Sequence, residues 1–169
     1  AYEISACLVG SANVIGGQFA ALRTAGGSVE EMLLRFPVAM KAALGENPKR
    51  VYADQKASPY TRMAIAALFR KAMRDAQEYA AALEEAKADP SKKPDLDLGL
   101  ESLLPVLRGE LPLKVHAHRA DDILTALRLA KEFHLRISLE HCTEGHLIAP
   151  ELKRRIDSLG GVPVILGPL

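Results

Sequence analysis

Residues 111–141 read LPLKVHAHRADDILTALRLAKEFHLRISLEH, and they contain two strand-like runs separated by a helix. An acidic pair precedes the helix, where carboxylates meet the positive end of the helix dipole. Strands joined through a helix usually lie parallel in one sheet. This stretch therefore predicts an α/β unit whose helix packs through one apolar stripe. The stripe consists of Ile123, Leu127, Ala130 and Phe133.

The same alternation of strands and helices extends along the chain in both directions. Short apolar runs, ended by glycine, proline or polar residues, predict the strands. These strands cover residues 4–9, 38–44, 111–118, 136–140 and 162–166. Because helices separate them, we expect the strands to run parallel.

Helical spacing of apolar side chains predicts the elements between the strands. The predicted helices cover a turn at 18–24, a short segment around Met32, then 61–87, 98–107 and part of 144–158. The polar, proline-bearing segment near 88–97 predicts an exposed loop. It is not a domain boundary, because the same alternation resumes after it.

This pattern is typical of the α/β class, and two architectures fit it. One is a doubly wound sheet, and the other is a partial (β/α)8 barrel of the TIM type. A full barrel takes about 250 residues, whereas the chain has 169. We therefore predict one domain over residues 1–169, with about five parallel strands alternating with helices.

Composition argues against several kinds of partner. The net charge is +1, so we expect no nucleic acid partner. No apolar run of about 18 residues occurs, so we expect no membrane partner. No signal peptide precedes the first strand, and we expect a cytoplasmic protein whose upstream residues are absent. Cys7 and Cys142 are expected to stay reduced, since two thiols without a secretory context form no disulfide framework.

Three histidines follow strands at the edge where parallel α/β folds place their functional groups. His116 and His118 are two residues apart, so they point to the same side of the third strand. His141 ends the next strand, about 5 Å away in a parallel sheet. Neutral imidazole binds zinc and similar divalent ions, so these residues predict a metal site. The alternative is that they are hydrogen-bonded structural histidines. His134, near a helix end, is expected to be a surface or capping residue.

Other polar residues lie close to the same edge. Lys41 falls in an otherwise apolar strand, where an isolated ammonium is costly to bury; it therefore reaches solvent, is chemically modified or faces a polar site. Glu46 follows that strand and is a candidate carboxylate for a metal. Asp121 and Asp122 are expected to cap the following helix, with the orientation of a histidine ring as the alternative.

Two stretches together resemble the amidohydrolase superfamily, and most closely its imidazolonepropionase-related branch. One reads VHAHRADDI over 115–123, and the other reads LEHCTEGHLI over 139–148. Further similarity at 10–18, 45–52 and 164–169 extends the resemblance over nearly the whole chain. It implies a (β/α)8 barrel that binds one or two divalent metal ions, zinc being expected. It also implies hydrolysis of C–N bonds in amides or cyclic amides.

The resemblance also implies roles for individual residues. His116 and His141 match the metal-binding histidines that follow strands five and six of the barrel. Lys41 aligns with a strand-four position that is a carbamylated, metal-bridging lysine in some members, and Glu46 is its rival. His118 matches no fixed ligand and is expected to support the ligands or to face the substrate.

Two further residues of the matched stretches have the same expected role as His118. His146 and Arg119 are expected to contact the substrate or to support the metal ligands. The family's other metal-binding elements, a His-x-His pair after strand one and an aspartate after strand eight, have no counterpart here. The five strands would then correspond roughly to strands three to seven.

We consequently expect this chain to be a poor hydrolase on its own. The expected partners are the remainder of a parent polypeptide and a small-molecule substrate, and self-association into a homo-oligomer is left open. Two alternatives also remain open. One is a non-catalytic fragment that keeps the rim of the barrel, and the other is a metal-independent α/β binding module.

Overall fold

The computed structural model of the chain describes residues 4–5, 13–54 and 56–167. Within these residues, six strands form one sheet in chain order. The strands are β1 (Ile4–Ser5), β2 (Ile15–Arg23), β3 (Leu33–Ala43), β4 (Leu113–Ala117), β5 (Ile137–His141) and β6 (Val164–Leu166). The helices are α1 (Val29–Met32), α2 (Glu46–Asp54), α3 (Arg62–Ala88), α4 (Leu98–Leu107), α5 (Ala120–Phe133) and α6 (Ala149–Ser158).

The second half of the sheet is parallel, as expected. Strands β3 to β6 pair in parallel, and helices lie between consecutive strands. In the register of β3, β4 and β5, Ala43 stands beside His116, and His116 beside Glu140. The α/β class predicted from residues 111–141 is therefore confirmed.

The first half of the sheet differs from the prediction. Strands β1 and β2 pair antiparallel, and so do β2 and β3. The helical turn predicted over 18–24 is wrong, because β2 covers most of that segment. Pairing along β3 supplies the backbone partners there, and Phe19 is buried. The predicted strand over 4–9 lies outside the described residues beyond Ser5.

The bounds of the elements after β2 also differ from the prediction. Strand β3 begins at Leu33 instead of residue 38, because its first half pairs with β2. The helix around Met32 is only one turn, with Ser28 accepting a hydrogen bond from the backbone of Glu31. The segment after β3, where no helix was predicted, forms α2.

Helix α3 is the longest, as its apolar spacing predicted. Thr61 caps it by accepting a hydrogen bond from the backbone N–H of Ala64 at 3.1 Å, which satisfies one of the free donors of the first turn. Ile65 and Met73 on its buried face are 1% and 0% exposed. They join the core on one side of the sheet, together with the predicted apolar stripe of α5.

The remaining predictions concern the loop, the membrane and the thiols. Residues 88–97 are mostly exposed; α3 ends at Ala88, and a short 3-10 helix follows at Pro90–Lys92. Among the described residues, no helix is long and apolar enough to cross a membrane. Cys142 is a buried free thiol. Cys7 lies outside the described residues, so the absence of a bridge between the two stays a prediction.

Candidate metal centre

The carboxyl ends of β3, β4 and β5 meet at one edge of the sheet, and the polar residues of interest lie there. Neighbouring residues in register on parallel strands point to the same face. Lys114 and Ser138 are such a pair, and so are His116 and Glu140. Lys114 Nζ and Ser138 Oγ both donate to Glu140 Oε1, each at 2.6 Å. This polar face is opposite the one that packs on α3 and α5.

Three imidazoles gather at this edge. The ring centroid of His116 lies 4.5 Å from that of His118 and 4.5 Å from that of His141. The ring centroids of His118 and His141 are 4.8 Å apart. One nitrogen from each ring lies within 4.8 Å of the others. His116 is buried, and the other two are half-buried. The predicted convergence of the histidines of consecutive strands is therefore confirmed.

His141 reaches the cluster through an irregular backbone. It stands in register with Ala117, which is fully buried in the core, so regular alternation would turn it toward the core. Instead His141 has φ 69°, and Cys142 after it has φ 46°. Left-handed conformations are uncommon outside glycine, and here they end the strand at the point where the ring joins the other histidines.

Two short hydrogen bonds hold the histidine rings. Asn47 Nδ2 lies 2.8 Å from His116 Nε2, and Thr143 Oγ1 lies 2.7 Å from His118 Nδ1. Asn47 belongs to α2, directly after β3, whereas Thr143 follows β5. The segments after two different strands thus support the histidines of the strand between them.

The surroundings of His116 and His118 favour the neutral form of these two rings. Burial, followed by the neighbouring His118, Lys41 and His141, lowers the pKa of His116 to about 4. Burial, followed by the nearby His141, also lowers the pKa of His118. Both rings are therefore unprotonated near neutral pH, which is the form that binds metal ions.

A network of charges lies beside the cluster. Arg62 Nε donates to both carboxylate oxygens of Asp122 at 3.1 Å, and its Nη2 donates to Glu46 Oε2 at 3.3 Å. Asp122 is only 4% exposed, and burial raises its pKa while Arg62 lowers it. Gly45 has φ +82°, and a Cβ at that position would collide with the carboxylate of Asp122.

Lys41 lies deeper along the polar face than the histidines. It is half-buried and stands in register with Lys114, two residues before Ala43, the register partner of His116. Burial lowers the pKa of its ammonium, Lys114 lowers it further, and Glu140 opposes the change. Lys41 therefore lies on the polar face of the sheet beside Lys114 and near Glu140.

The other predicted residues lie outside the histidine cluster. Glu46 is exposed and pairs with Arg62 and Lys49, and Arg119 is exposed and pairs with Asp121. His146 is exposed, with its Nδ1 3.0 Å from the carbonyl oxygen of Thr143. His134 is exposed at the end of α5, as expected for a capping residue.

A cavity of about 1120 Å³ lies away from the histidines, toward the amino ends of the parallel strands. Its lining includes Phe19, Pro112, Lys114, Arg136 and Ile165, and none of the three clustered histidines. Residues of α5 and of the segment after α6, among them Ala130 and Leu159, also line it, so it is separate from the site where the ligand side chains converge.

The donor set fits a divalent cation. Three imidazoles from the ends of adjacent strands can each offer one lone pair, and three protein ligands with an open position are typical of catalytic zinc sites. Among the described residues, the cluster contains no carboxylate or thiolate. Fold and site together define an α/β protein with a candidate histidine metal centre.

Comparisons with known proteins point to one kind of enzyme. The chain is 31% identical to the amidohydrolase tasK of Hapsidospora irregularis over 182 residues, covering 96% of the chain and 18% of that protein. It superimposes on the crystal structure of an amidohydrolase from Thermotoga maritima MSB8 with a TM-score of 0.87 and 39% identity, covering 97% of the chain. No protein-family model matches the chain.

The chain is therefore related to amidohydrolases over most of its length. It spans 42% of the solved Thermotoga chain and 18% of the fungal protein. The resemblance of the histidine stretches to amidohydrolases is therefore confirmed. The α/β fold of the chain also agrees with the matching part of the solved Thermotoga structure.

Three residues of the site were not predicted. Asn47 and Thr143 follow strands at the same edge as the histidines, which was a usable signal for both. Arg62 could not have been found this way, because it meets Asp122 across 60 residues of sequence.

Proposed function

We propose that this chain forms part of a metal-dependent hydrolase that cleaves C–N bonds. The observation that supports this best is the approach of three imidazoles at the carboxyl edge of parallel strands in a chain related to amidohydrolases. His116 and His141 are the proposed metal ligands, and His118 is either a third ligand or a substrate contact. Zinc is the proposed ion, since imidazole suits it.

Within this proposal, each residue has a defined task. The histidines hold the ion through unprotonated ring nitrogens. Because His116 is buried, its ring nitrogens are shielded from water. When bound, the ion would supply Lewis-acid polarisation of the substrate carbonyl. Lys41 is the proposed further ligand, as a carbamate. Glu46 could replace it only by leaving Arg62.

The substrate is proposed to be a small molecule with an amide or cyclic amide bond, as in the imidazolonepropionase-related branch. The resemblance of residues 115–123 and 139–148 to that branch supports this choice. The proposed partner is the remainder of a longer polypeptide, which would complete the metal site. Association of several copies is compatible with this arrangement.

Metal binding is the direct test. Titration of the metal-free chain with Zn²⁺, followed by calorimetry and metal analysis, should give saturable binding. His116→Ala and His141→Ala should each lower the affinity for Zn²⁺ by more than about 10–100-fold. That range is typical of losing a residue that only hydrogen-bonds to a metal ligand. His134→Ala is the matched control, because His134 is exposed and lies outside the cluster. Equal affinities in all four proteins would contradict the proposal.

His118→Ala distinguishes the two roles of that residue. A loss of affinity as large as that of His116→Ala would make His118 a ligand. Retained affinity would leave it as a substrate contact.

We expect the chain alone to hydrolyse amides slowly. The cluster in the described residues has no carboxylate that could accept a proton, and losing general base catalysis typically costs about 10²–10⁴ in rate. Turnover of cyclic amides should be compared with that of the Thermotoga relative under the same metal concentration. Equal rates would contradict this expectation.

A further inference from the structure

A small cleft lies between α5 and α6, which pack against each other. Its volume is about 230 Å³, and none of the three clustered histidines lines it. The side chains around it include four cationic groups and, within the described part of the chain, no acidic one. The four are Arg128 and Lys131 on α5, and Arg154 and Arg155 on α6.

The positive charge of this basic cleft is only partly balanced. Arg154 and Arg155 share a single carboxylate, because both donate to Glu151. Neither Arg128 nor Lys131 forms an ion pair among the described residues. Residues three apart on a helix are neighbours, so these two cations also repel each other. A bound anion would relieve that repulsion.

The floor of the basic cleft is apolar and firmly packed. Leu127 is 2% exposed, and Leu159 packs against the hydrophobic core. At the wall, Arg155 is half-buried and donates to Glu151 through Nε. Its terminal nitrogens therefore remain for an anion, since a guanidinium has five N–H donors. A charge that is partly shielded from water is screened less than a fully solvated one.

We infer that the basic cleft binds the phosphate group of a small phosphorylated molecule. A phosphate monoester carries nearly two negative charges at neutral pH and three acceptor oxygens, and guanidinium groups match its geometry. The volume lies below the about 300–1,000 Å³ typical of sites for drug-sized ligands, so the occupant is small. The two leucines of the floor fit a short carbon chain attached to the phosphate.

The position of the basic cleft links it to both histidine-bearing strands. Helix α5 follows β4, which carries His116, and α6 comes after β5, which carries His141. A phosphate held between the helices would join the supports of both strands. The inference does not depend on the proposed metal function, because the cleft and the histidine cluster share no residue.

The test is a titration of the metal-free 169-residue chain with glycerol 3-phosphate at pH 7.5 and low ionic strength. Binding is followed by ¹⁵N NMR of the arginine Nε–H groups. We expect saturable shifts at Arg128, Arg154 and Arg155, with one ligand bound per chain. Sodium chloride added to the same ionic strength shows how much of any shift comes from screening alone.

Variants of the lysine in the basic cleft test its role. Lys131→Met should weaken binding by about tenfold or more, as expected for losing one hydrogen bond to a charged group. Lys131→Arg should retain binding, because the charge and the donors stay. Lys93→Met is the matched control, since Lys93 is exposed and lies outside the cleft.

Two results would overturn the inference of an anion site. One is equal shifts with chloride and with glycerol 3-phosphate, and the other is equal affinity in the wild type, Lys131→Met and Lys93→Met. Inorganic phosphate distinguishes the source of the phosphate group. Weaker binding of inorganic phosphate than of glycerol 3-phosphate supports a phosphorylated molecule, whereas equal or tighter binding would overturn that choice in favour of the free ion.

Discussion

The ring of His116 is 6% exposed and lies between two other imidazoles, with Lys41 further along the same face. Adding a proton to this ring would place a positive charge in a buried site beside other groups that can carry the same charge. The pKa of His116 falls to about 4 for this reason. An unfolded chain has no such constraint, and its histidines titrate near their ordinary value.

The stability of the metal-free chain should therefore depend on pH. Between pH 6.5 and about 4, the unfolded chain binds a proton that folded His116 does not. The free energy of unfolding should therefore fall as the pH is lowered through this window. Above pH 6.5 His116 is neutral in both states, and this loss of stability is absent. Urea unfolding at several pH values, with a chelator present, measures the slope.

His116→Gln is the matched variant for this measurement, since the amide can still meet Asn47 but does not titrate. The slope should decrease in it without vanishing, because the pKa of His118 is lowered too. An identical slope in the two proteins would show that His116 does not contribute.

At the scale of elements, the first turn of α5 is joined to the start of α3 and to the turn after β3. Arg62 lies at the start of α3, and Asp122 in the first turn of α5. Arg62 Nε is shared between the two oxygens of this almost fully buried carboxylate, across 60 residues of sequence. Removing one partner of such a pair leaves the other buried without compensation.

Arg62→Met should consequently destabilise the chain by about 1–3 kcal/mol at neutral pH. Asp122→Asn in the same background should recover part of this loss, because a neutral amide needs no counter-charge. Arg128→Met is the control, since Arg128 is exposed and donates a hydrogen bond to Thr125 of the same helix. Urea midpoints would compare the variants, and equal losses for Arg62→Met and Arg128→Met would contradict the role of the pair.

On the scale of the whole molecule, one face of the sheet packs on helices while the other presents polar groups. Leu139 and Ile123 are 0% exposed and join β5 to α5 through the core. On the opposite face, Lys114 and Glu140 form an ion pair. This division lets the sheet hold the histidines at its edge on a rigid, packed support.

Leu139→Ala should cost about 2–5 kcal/mol of stability, the range for removing a large buried side chain. Leu98→Ala is the control, because Leu98 is 75% exposed and such surface changes usually stay within about 0.5 kcal/mol. Thermal unfolding of both variants provides the comparison. A small effect for Leu139→Ala would mean that the core is less tightly packed than its burial indicates.

Local patterns predicted the parallel half of the fold well. The apolar spacing in α3 and α5 depends only on neighbours three and four residues apart, and both helices formed as expected. The segment over 18–24 failed, because strand β2 gets its hydrogen bonds from β3, which no local pattern in β2 encodes. Pairing partners across a sheet are a property of the folded chain.

The sequence alone determined that this is an α/β chain and that His116, His118 and His141 end adjacent strands at one edge. Two observations suffice for that conclusion: His116 and His118 are two residues apart, and His141 ends the next predicted strand. Only the tertiary structure decided that Asn47 holds His116, that Arg62 neutralises Asp122 and that Glu46 lies outside the cluster. These contacts join residues 16 to 69 positions apart, and such contacts depend on the packing of whole elements, which local sequence does not specify.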